Sequence, residues 1–187
     1  MRIIAGQNRG LRLAEVGEGD AAAALRPTSD RLRETIFNLL EGGRYGTPVR
    51  EAVVLDLFAG TGALGLEALS RGAEEATFVE SGRVGQRLIR ENLKRASRGG
   101  EARLLAADAL KLPAREGAAA TLIFLDPPYG RALGAPALAA ARAGGWVAPE
   151  ALVVWEEAAP QPPPPGFTLA EHRRAGVAHL TLLRAAG

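Results

Sequence analysis

From Glu51 onward, short apolar runs alternate with amphipathic stretches of helical spacing. This alternation is typical of a parallel sheet whose strands are joined by crossover helices, so we predict an α/β fold. The predicted strands are residues 53–58, 76–80, 102–106, 121–125 and 152–155, and the clearest predicted helices are residues 63–71, 83–96 and 135–143. A mostly parallel, Rossmann-like sheet follows from this order.

The last part of the chain departs from that alternation. Residues 161–166 contain four consecutive prolines, which cannot sustain a helix and predict a polyproline connection. Residues 167–173 and 177–184 then flank Gly176 and predict a terminal hairpin. We therefore expect an antiparallel strand at the carboxyl end of the sheet.

Residues 1–50 form an appendage in front of the α/β unit, which spans residues 51–187. Residues 2–5 and 11–14 flank a loose turn rich in glycine and asparagine, which predicts a small hairpin. Thr28 or Ser29 can cap the helix that follows, and Gly42 ends it. Its predicted apolar stripe consists of Leu32, Ile36, Leu39 and Leu40.

Composition narrows the class of protein. A chain of 187 residues with 47% apolar residues can bury the core of one domain. It has no cysteine and only two histidines, which excludes disulfides and thiolate metal sites and leaves too few imidazoles for a metal cluster. No apolar run approaches a bilayer span and no signal peptide opens the chain, so we expect a cytoplasmic protein without a membrane partner. We also expect a monomer that binds no metal.

Charge is informative through its distribution, because the formal net charge is only +2. Arg2, Arg9 and Arg12 precede any acidic residue, and a second basic series recurs at helical spacing between residues 83 and 98. Both are candidate surfaces for binding nucleic acid. For the second series, an ordinary solvated helix face explains the spacing equally well.

The first predicted strand leads into a glycine loop, Gly60-Thr61-Gly62-Ala63-Leu64-Gly65, and Glu80 ends the next strand. Glycines let the backbone approach a ligand closely, and a carboxylate at that position can accept hydrogen bonds from ribose hydroxyls. The pattern fits a nucleotide-type cofactor site. By itself it serves dinucleotide dehydrogenases as readily as methyltransferases, and a tight turn without a ligand is a third reading.

Asp56 favours a methyltransferase, because burying a carboxylate in an apolar strand is costly unless it has a purpose. The run from Asp56 to Gly62 resembles the first motif of class I methyltransferases, whose ligand carries an ammonium and a sulfonium group. Asp108, just past the third predicted strand, could accept a hydrogen bond from an adenine amino group. A surface turn acid is the alternative for Asp108.

Catalytic chemistry is indicated by Asp126-Pro127-Pro128-Tyr129, which ends the fourth predicted strand. Ligands of open α/β sheets gather at the carboxyl ends of the strands, so this turn should face the same crevice as the glycine loop. The Asp126 carboxylate and the Pro127 carbonyl can accept both hydrogens of an aromatic amine and aim its lone pair at a methyl donor. Tyr129 can stack on a base turned out of its helix.

Two motifs at the amino terminus narrow the family further. Met1-Arg2-Ile3-Ile4-Ala5-Gly6 with Arg9-Gly10, and the run from Arg26 to Glu34 followed by Phe37-Asn38, resemble the RsmD family of bacterial 16S rRNA guanine-N2 methyltransferases. Together with Asp56 to Gly62, Glu80, Arg90-Glu91-Asn92 and Asp126 to Tyr129, the likeness covers nearly the whole chain.

The resemblance implies a single class I domain that uses S-adenosylmethionine to methylate N2 of one guanine in 16S rRNA of an assembling small-subunit particle. The implied cofactor-binding residues are Asp56, Phe58, Gly60, Gly62, Glu80, Asp108 and Thr28, and the implied catalytic residues are Asp126, Pro127 and Tyr129. The implied phosphate contacts are Arg2, Arg9, Arg12, Arg26, Arg31 and Arg33, of which Arg26 borders the target pocket together with Thr28.

Other functions stay open at the level of residue chemistry. An adenine-N6 methyltransferase of DNA or RNA would use the same Asp126 turn. A catalytically inert RNA-binding module would need only the basic amino terminus, and a nicotinamide dehydrogenase would share the glycine loop. The tetrapeptide indicates amine methylation and does not choose the base.

Overall fold

A computed structural model describes residues 1–17 and 29–187. Its centre is one seven-stranded sheet of order β3-β2-β1-β4-β5-β7-β6. The strands are β1 (Val53–Leu57), β2 (Glu75–Val79), β3 (Ala102–Leu105), β4 (Ala120–Leu125), β5 (Val147–Glu157), β6 (Phe167–Ala175) and β7 (Ala178–Ala185). The helices are α1 (Asp30–Glu41), α2 (Ala63–Ser70), α3 (Arg83–Ala96) and α4 (Gly134–Ala143).

The predicted α/β architecture is confirmed. The first five strands run parallel in the sheet, and β7 lies antiparallel between β5 and β6. The main difference is β5, which begins five residues before its predicted start at Leu152. Its first half includes exposed Pro149 and Glu150 and carries a register shift against β4, so it lacks the apolar run that marks the second half.

Alternate residues of the strands project to opposite faces of the sheet, and each face has its own core. One face packs against α1, α2 and α3, with Phe78, Phe124 and Val154 among its buried side chains. The other packs against α4 and includes Trp155. In β1, in β2 and in the parts of β4 and β5 from Leu122 and Leu152 onward, residues with even numbers share the first face, and this sets the direction of the site side chains described below.

Helix α1 begins as predicted, because the Ser29 hydroxyl accepts a hydrogen bond from the Leu32 amide at 3.2 Å. Its buried face differs from the predicted stripe and comprises Arg33, Ile36, Phe37 and Leu40. Leu32 and Leu39 are only partly buried against the core. The ring of Phe37 packs on Phe124 at a centroid distance of 5.6 Å, which fixes the helix over the middle of the sheet.

The amino-terminal segment, residues 1–17, folds back on itself through a bridge between Arg2 and Arg12. The predicted hairpin is thus present in a short form. Its turn lies against the end of α2, where a Cβ added to Gly6 would come within 1.8 Å of the Ser70 carbonyl oxygen. The buried Glu67 carboxylate of α2 accepts the amide hydrogens of Ile4 and Ala5 at 2.8 and 3.0 Å, so the segment is fastened to the α/β unit. Within the described ranges, no helix has the length and apolar character needed to span a bilayer.

Candidate active site

A crevice of about 1120 Å³ opens at the carboxyl ends of β1, β2, β4 and β5. This volume slightly exceeds the roughly 300–1,000 Å³ of a typical small-molecule site. Predicted site residues that line the crevice are Asp56, Phe58, Gly60, Glu80, Asp126, Pro127 and Tyr129. The structure thus brings the glycine loop and the tetrapeptide together.

The loop after β1 owes its shape to left-handed backbone at Gly60 (φ 55°) and Gly62 (φ 76°). Gly62 is the N-cap of α2 and does not itself line the crevice. A Cβ at Gly62 would approach Phe78 and Ile89 to 3.2 Å, so glycine there also serves packing. Phe58, with a φ of 60°, presents a partly exposed ring to the crevice.

Glu80 follows β2 and is held by the backbone of two loops. One carboxylate oxygen accepts the Gly60 amide at 2.8 Å, and the other accepts the Gly82 amide at 2.6 Å. A Cβ at Gly85 would meet the Glu80 side chain at 2.7 Å, so α3 can approach this closely only with glycine there. Each oxygen retains acceptor capacity for a ligand hydroxyl.

Asp56 is 1% exposed and accepts a hydrogen bond from the Gly65 amide at 3.0 Å. Burial raises the pKa of Asp56 to about 8, the hydrogen bond from Gly65 opposes the shift, and the nearby Glu80 charge adds to it. At neutral pH this carboxyl is therefore mostly protonated. A cation entering the crevice would favour its ionised form.

The tetrapeptide is fastened to the carboxyl end of β5. The Tyr129 hydroxyl donates to Glu156 at 2.6 Å, and the Gly130 amide donates to Glu157 at 3.3 Å. Pro127 is buried, whereas Asp126 and Tyr129 are partly exposed in the crevice. The Tyr129 ring is thereby held at the crevice wall, where a base could lie against it.

Asp108 lies outside the crevice lining. Its exposed carboxylate accepts the Leu110 amide at 2.9 Å, which is the geometry of a turn acid. The adenine contact stays a prediction, as does every assignment that the family resemblance makes for a cofactor-binding residue.

The predicted phosphate contacts that the structure describes fall into three groups. Arg31 is exposed and lines the crevice, whereas Arg2, Arg9 and Arg12 are exposed on the amino-terminal segment away from it. The prediction that Arg33 contacts phosphate is wrong, because its side chain is fully buried and donates to Asp30 and to the Arg2 carbonyl. Burial lowers the pKa of Arg33, while Asp30 and Glu67 raise it. Arg26 and the predicted cofactor residue Thr28 lie outside the described residues.

Several residues of the crevice escaped the sequence prediction. The start of α1 contributes Ser29, Leu32 and Thr35, and the turn of the β6–β7 hairpin contributes residues 174–178. Glu156 also lines the crevice, although it is only 6% exposed. Its signal was available in the sequence, since a carboxylate directly after an apolar strand is the same feature that marked Glu80.

The chain is similar to known proteins over nearly its whole length. The family model described as Conserved hypothetical protein 95 matches residues 1–184. The Ribosomal RNA small subunit methyltransferase D of Escherichia coli strain K12 is 42% identical over 157 residues, which cover 83% of this chain and 74% of that protein.

Solved structures of other proteins share this fold. The yhhF protein of Escherichia coli superposes with a TM-score of 0.82 and 36% identity, covering 100% of this chain and 98% of that chain. An RNA methyltransferase from Salinibacter ruber, solved in complex with S-adenosyl-L-homocysteine, has a TM-score of 0.66 over 86% of this chain and 94% of that chain. Its 16% identity shows the shared fold alone. The chain has the α/β methyltransferase fold and belongs to the RsmD family.

Proposed function

We propose that this protein is an rRNA methyltransferase that transfers a methyl group from S-adenosylmethionine to the exocyclic N2 of one guanine in 16S rRNA of the assembling small subunit. The observation that carries the proposal is the meeting of Glu80 and Asp126 in one crevice, the first at a nucleotide-type loop and the second at an amine-binding turn. The name of the Escherichia coli relative supports ribosomal RNA of the small subunit as the substrate.

The donor set of the crevice fits S-adenosylmethionine. Glu80 offers carboxylate oxygens to ribose hydroxyls, and the positive φ of Gly60 lets the backbone lie close to a ligand. Asp56 is a buried acid whose pKa of about 8 would fall toward ordinary values beside an ammonium or sulfonium group. A pyrophosphate ligand would instead keep Asp56 protonated and gain nothing from it, so Asp56 favours a cationic ligand over a dinucleotide.

When bound, S-adenosylmethionine supplies a methyl group on positively charged sulfur: a nitrogen–carbon bond forms as the carbon–sulfur bond breaks, the electron pair stays on sulfur, and one proton leaves the nitrogen. The protein's contribution is to orient the amine. Asp126 and the Pro127 carbonyl accept the two amine hydrogens, which draws the nitrogen lone pair out of conjugation with the base. The Asp126 carboxylate would also take up the departing proton.

The RNA is held by charge outside the crevice. Arg2, Arg9 and Arg12 are exposed on the amino-terminal segment, and Arg31 stands at the crevice rim. Arginines of this kind bind phosphates and set the position of an RNA without reading its sequence. The exposed side chains Arg83, Arg87, Arg90 and Lys94 of α3 extend the basic surface.

The test is methyl transfer from labelled S-adenosylmethionine to unmethylated small-subunit particles, naked 16S rRNA and DNA in parallel, followed by mass spectrometry of the nucleosides. We expect N2-methylguanosine from the particles. Asp126→Asn should lower kcat/KM by at least about 100-fold, because the variant loses a charged acceptor for the amine. Glu116→Gln, a substitution of an exposed carboxylate, is the matched control and should be unchanged.

Three results would contradict the proposal. N6-methyladenine as the only product would replace guanine by adenine. Absence of S-adenosylmethionine binding at high micromolar concentration would favour a non-catalytic RNA-binding protein. Full turnover by the Asp126→Asn variant would remove the proposed role of this carboxylate.

A further inference from the structure

A second carboxylate stands beside the proposed amine-binding turn. Strands β4 and β5 are parallel neighbours, and Leu125 is paired with Trp155. Asp126 and Glu156 follow these residues at the same level, on strands about 4.8 Å apart. Residues paired in register project to the same face of a sheet, and both side chains line the crevice.

The Glu156 side chain is held in place rather than free to turn. It is 6% exposed, and one oxygen accepts the Tyr129 hydroxyl at 2.6 Å. A buried carboxylate next to another carboxylate is costly, so a purely structural contact to Tyr129 would be made more cheaply by a neutral side chain. Its position at the target side of the crevice suggests a ligand with hydrogens to donate.

Guanine and adenine differ at the ring nitrogen beside the reactive amine. In guanine, N1 carries a hydrogen, so N1 and the N2 amine form a continuous row of donors. In adenine, N1 has a lone pair and accepts. Because a carboxylate offers acceptors only, it pairs with guanine N1–H and repels adenine N1.

We propose that Glu156 selects guanine over adenine by accepting the N1 hydrogen of the base whose N2 amine is held by Asp126. This inference rests on the proposed function. It deepens that function by identifying the residue that chooses the base, which the Asp-Pro-Pro-Tyr turn does not do. Rejection is strong at such a site because the wrong base leaves a buried charge facing a lone pair.

The test uses 2,6-diaminopurine, which keeps the N2 amine of guanine but has a lone pair at N1. After the methylated guanine has been mapped, 16S rRNA is rebuilt by ligation with either guanine or 2,6-diaminopurine at that position and assembled into particles. The wild-type protein should methylate the diaminopurine particle with a kcat/KM at least about 100-fold lower. Glu156→Gln should lose activity on guanine and narrow or reverse that preference, because its amide can donate to N1.

Two further variants separate base reading from support of the tyrosine. Tyr129→Phe removes the hydrogen bond to Glu156 but keeps the carboxylate, so activity should fall on both particles while guanine stays preferred over 2,6-diaminopurine. Glu150→Gln, an exposed substitution on the same strand, should match the wild type. Thermal unfolding and S-adenosylhomocysteine affinity, measured for each variant, establish that the fold and the cofactor site persist.

Equal methylation of both particles by the wild-type protein would overturn the inference, even if no Glu156 variant folds. A Glu156→Gln variant that loses the same factor on both particles would also overturn it and leave Glu156 only as a support for Tyr129. Either result differs from failure of the proposed function itself. If the proposed function failed, the wild-type protein would form no N2-methylguanosine in the guanine particle.

Discussion

Replacing Asp56 by asparagine tests the electrostatics of the cofactor site most directly. The carboxyl is 1% exposed, and burial raises its pKa to about 8 from an ordinary value of 3.8. Because the unfolded protein releases this proton at the lower pH, stability of the ligand-free protein falls as pH rises from 3.8 to about 8 and is level above that. Asp56→Asn removes this slope.

The expected magnitude follows from about 1.4 kcal/mol for each pH unit of pKa difference. Between roughly pH 5.5 and 8, the free energy of unfolding of the variant should gain about 3 kcal/mol relative to the wild type. Urea unfolding at half-unit pH steps measures the difference, and Glu116→Gln serves as the exposed control. Parallel curves for wild type and Asp56→Asn would refute a buried, mostly protonated Asp56.

The same carboxyl should make cofactor binding depend on pH. If a cationic ligand favours the ionised Asp56, the Kd of S-adenosylmethionine should fall as the pH rises. The fall should reach about tenfold per pH unit below pH 8, and the Kd should be level above that pH. Calorimetry in buffers of different ionisation heat should show proton release on binding. Asp56→Asn should bind more weakly above pH 8 and show neither effect, whereas a pH-independent wild-type Kd would contradict the coupling.

Two further substitutions test packing and anchoring. Gly85→Ala should displace Glu80, because the added Cβ would meet that side chain at 2.7 Å, and should weaken S-adenosylhomocysteine binding by at least about tenfold. Gly100→Ala is the control and should bind normally, because a Cβ there has no atom within 4 Å. Equal affinities of the two variants would refute the contact. Glu67→Gln should cost about 3 kcal/mol in urea unfolding and speed proteolysis of the amino-terminal segment, because one of the two backbone amides bound by the buried Glu67 carboxylate loses its acceptor. The exposed Glu74→Gln is the control, and unchanged stability of the Glu67 variant would show that the segment is held by other contacts.

Periodic apolar patterns were sufficient to predict the sheet and most helix bounds. They carry the information because strands of a parallel sheet are buried on both faces and stand out from the polar turns around them. The same rule failed for the first half of β5, where exposed Pro149 and Glu150 interrupt the run. Pairing with β4 holds that part of the strand, and pairing partners are invisible in a single sequence.

Buried charges account for the remaining differences. Arg33 was predicted to contact phosphate, yet it is fully buried, as is Glu67, and both are paired within the fold. A pattern of apolar positions assigns such residues to the wrong face, which is why the predicted stripe of α1 was displaced from the observed one. The glycine loop and the tetrapeptide were found because unusual residues follow directly after apolar strands. Glu156 also follows an apolar strand, but no motif surrounds it, so the sequence alone does not single it out.

Asn92 of α3 ties the amino-terminal segment to the cofactor loop. Its side-chain oxygen accepts the Ala14 amide at 2.6 Å, and its side-chain nitrogen donates to the Thr61 carbonyl at 3.0 Å. One buried amide therefore joins the strip of chain that carries the exposed arginines to the glycine loop. Linkage between two sites is reciprocal, so if binding of the proposed methyl donor raises the affinity of the segment for RNA, bound RNA raises the affinity for the donor by the same factor.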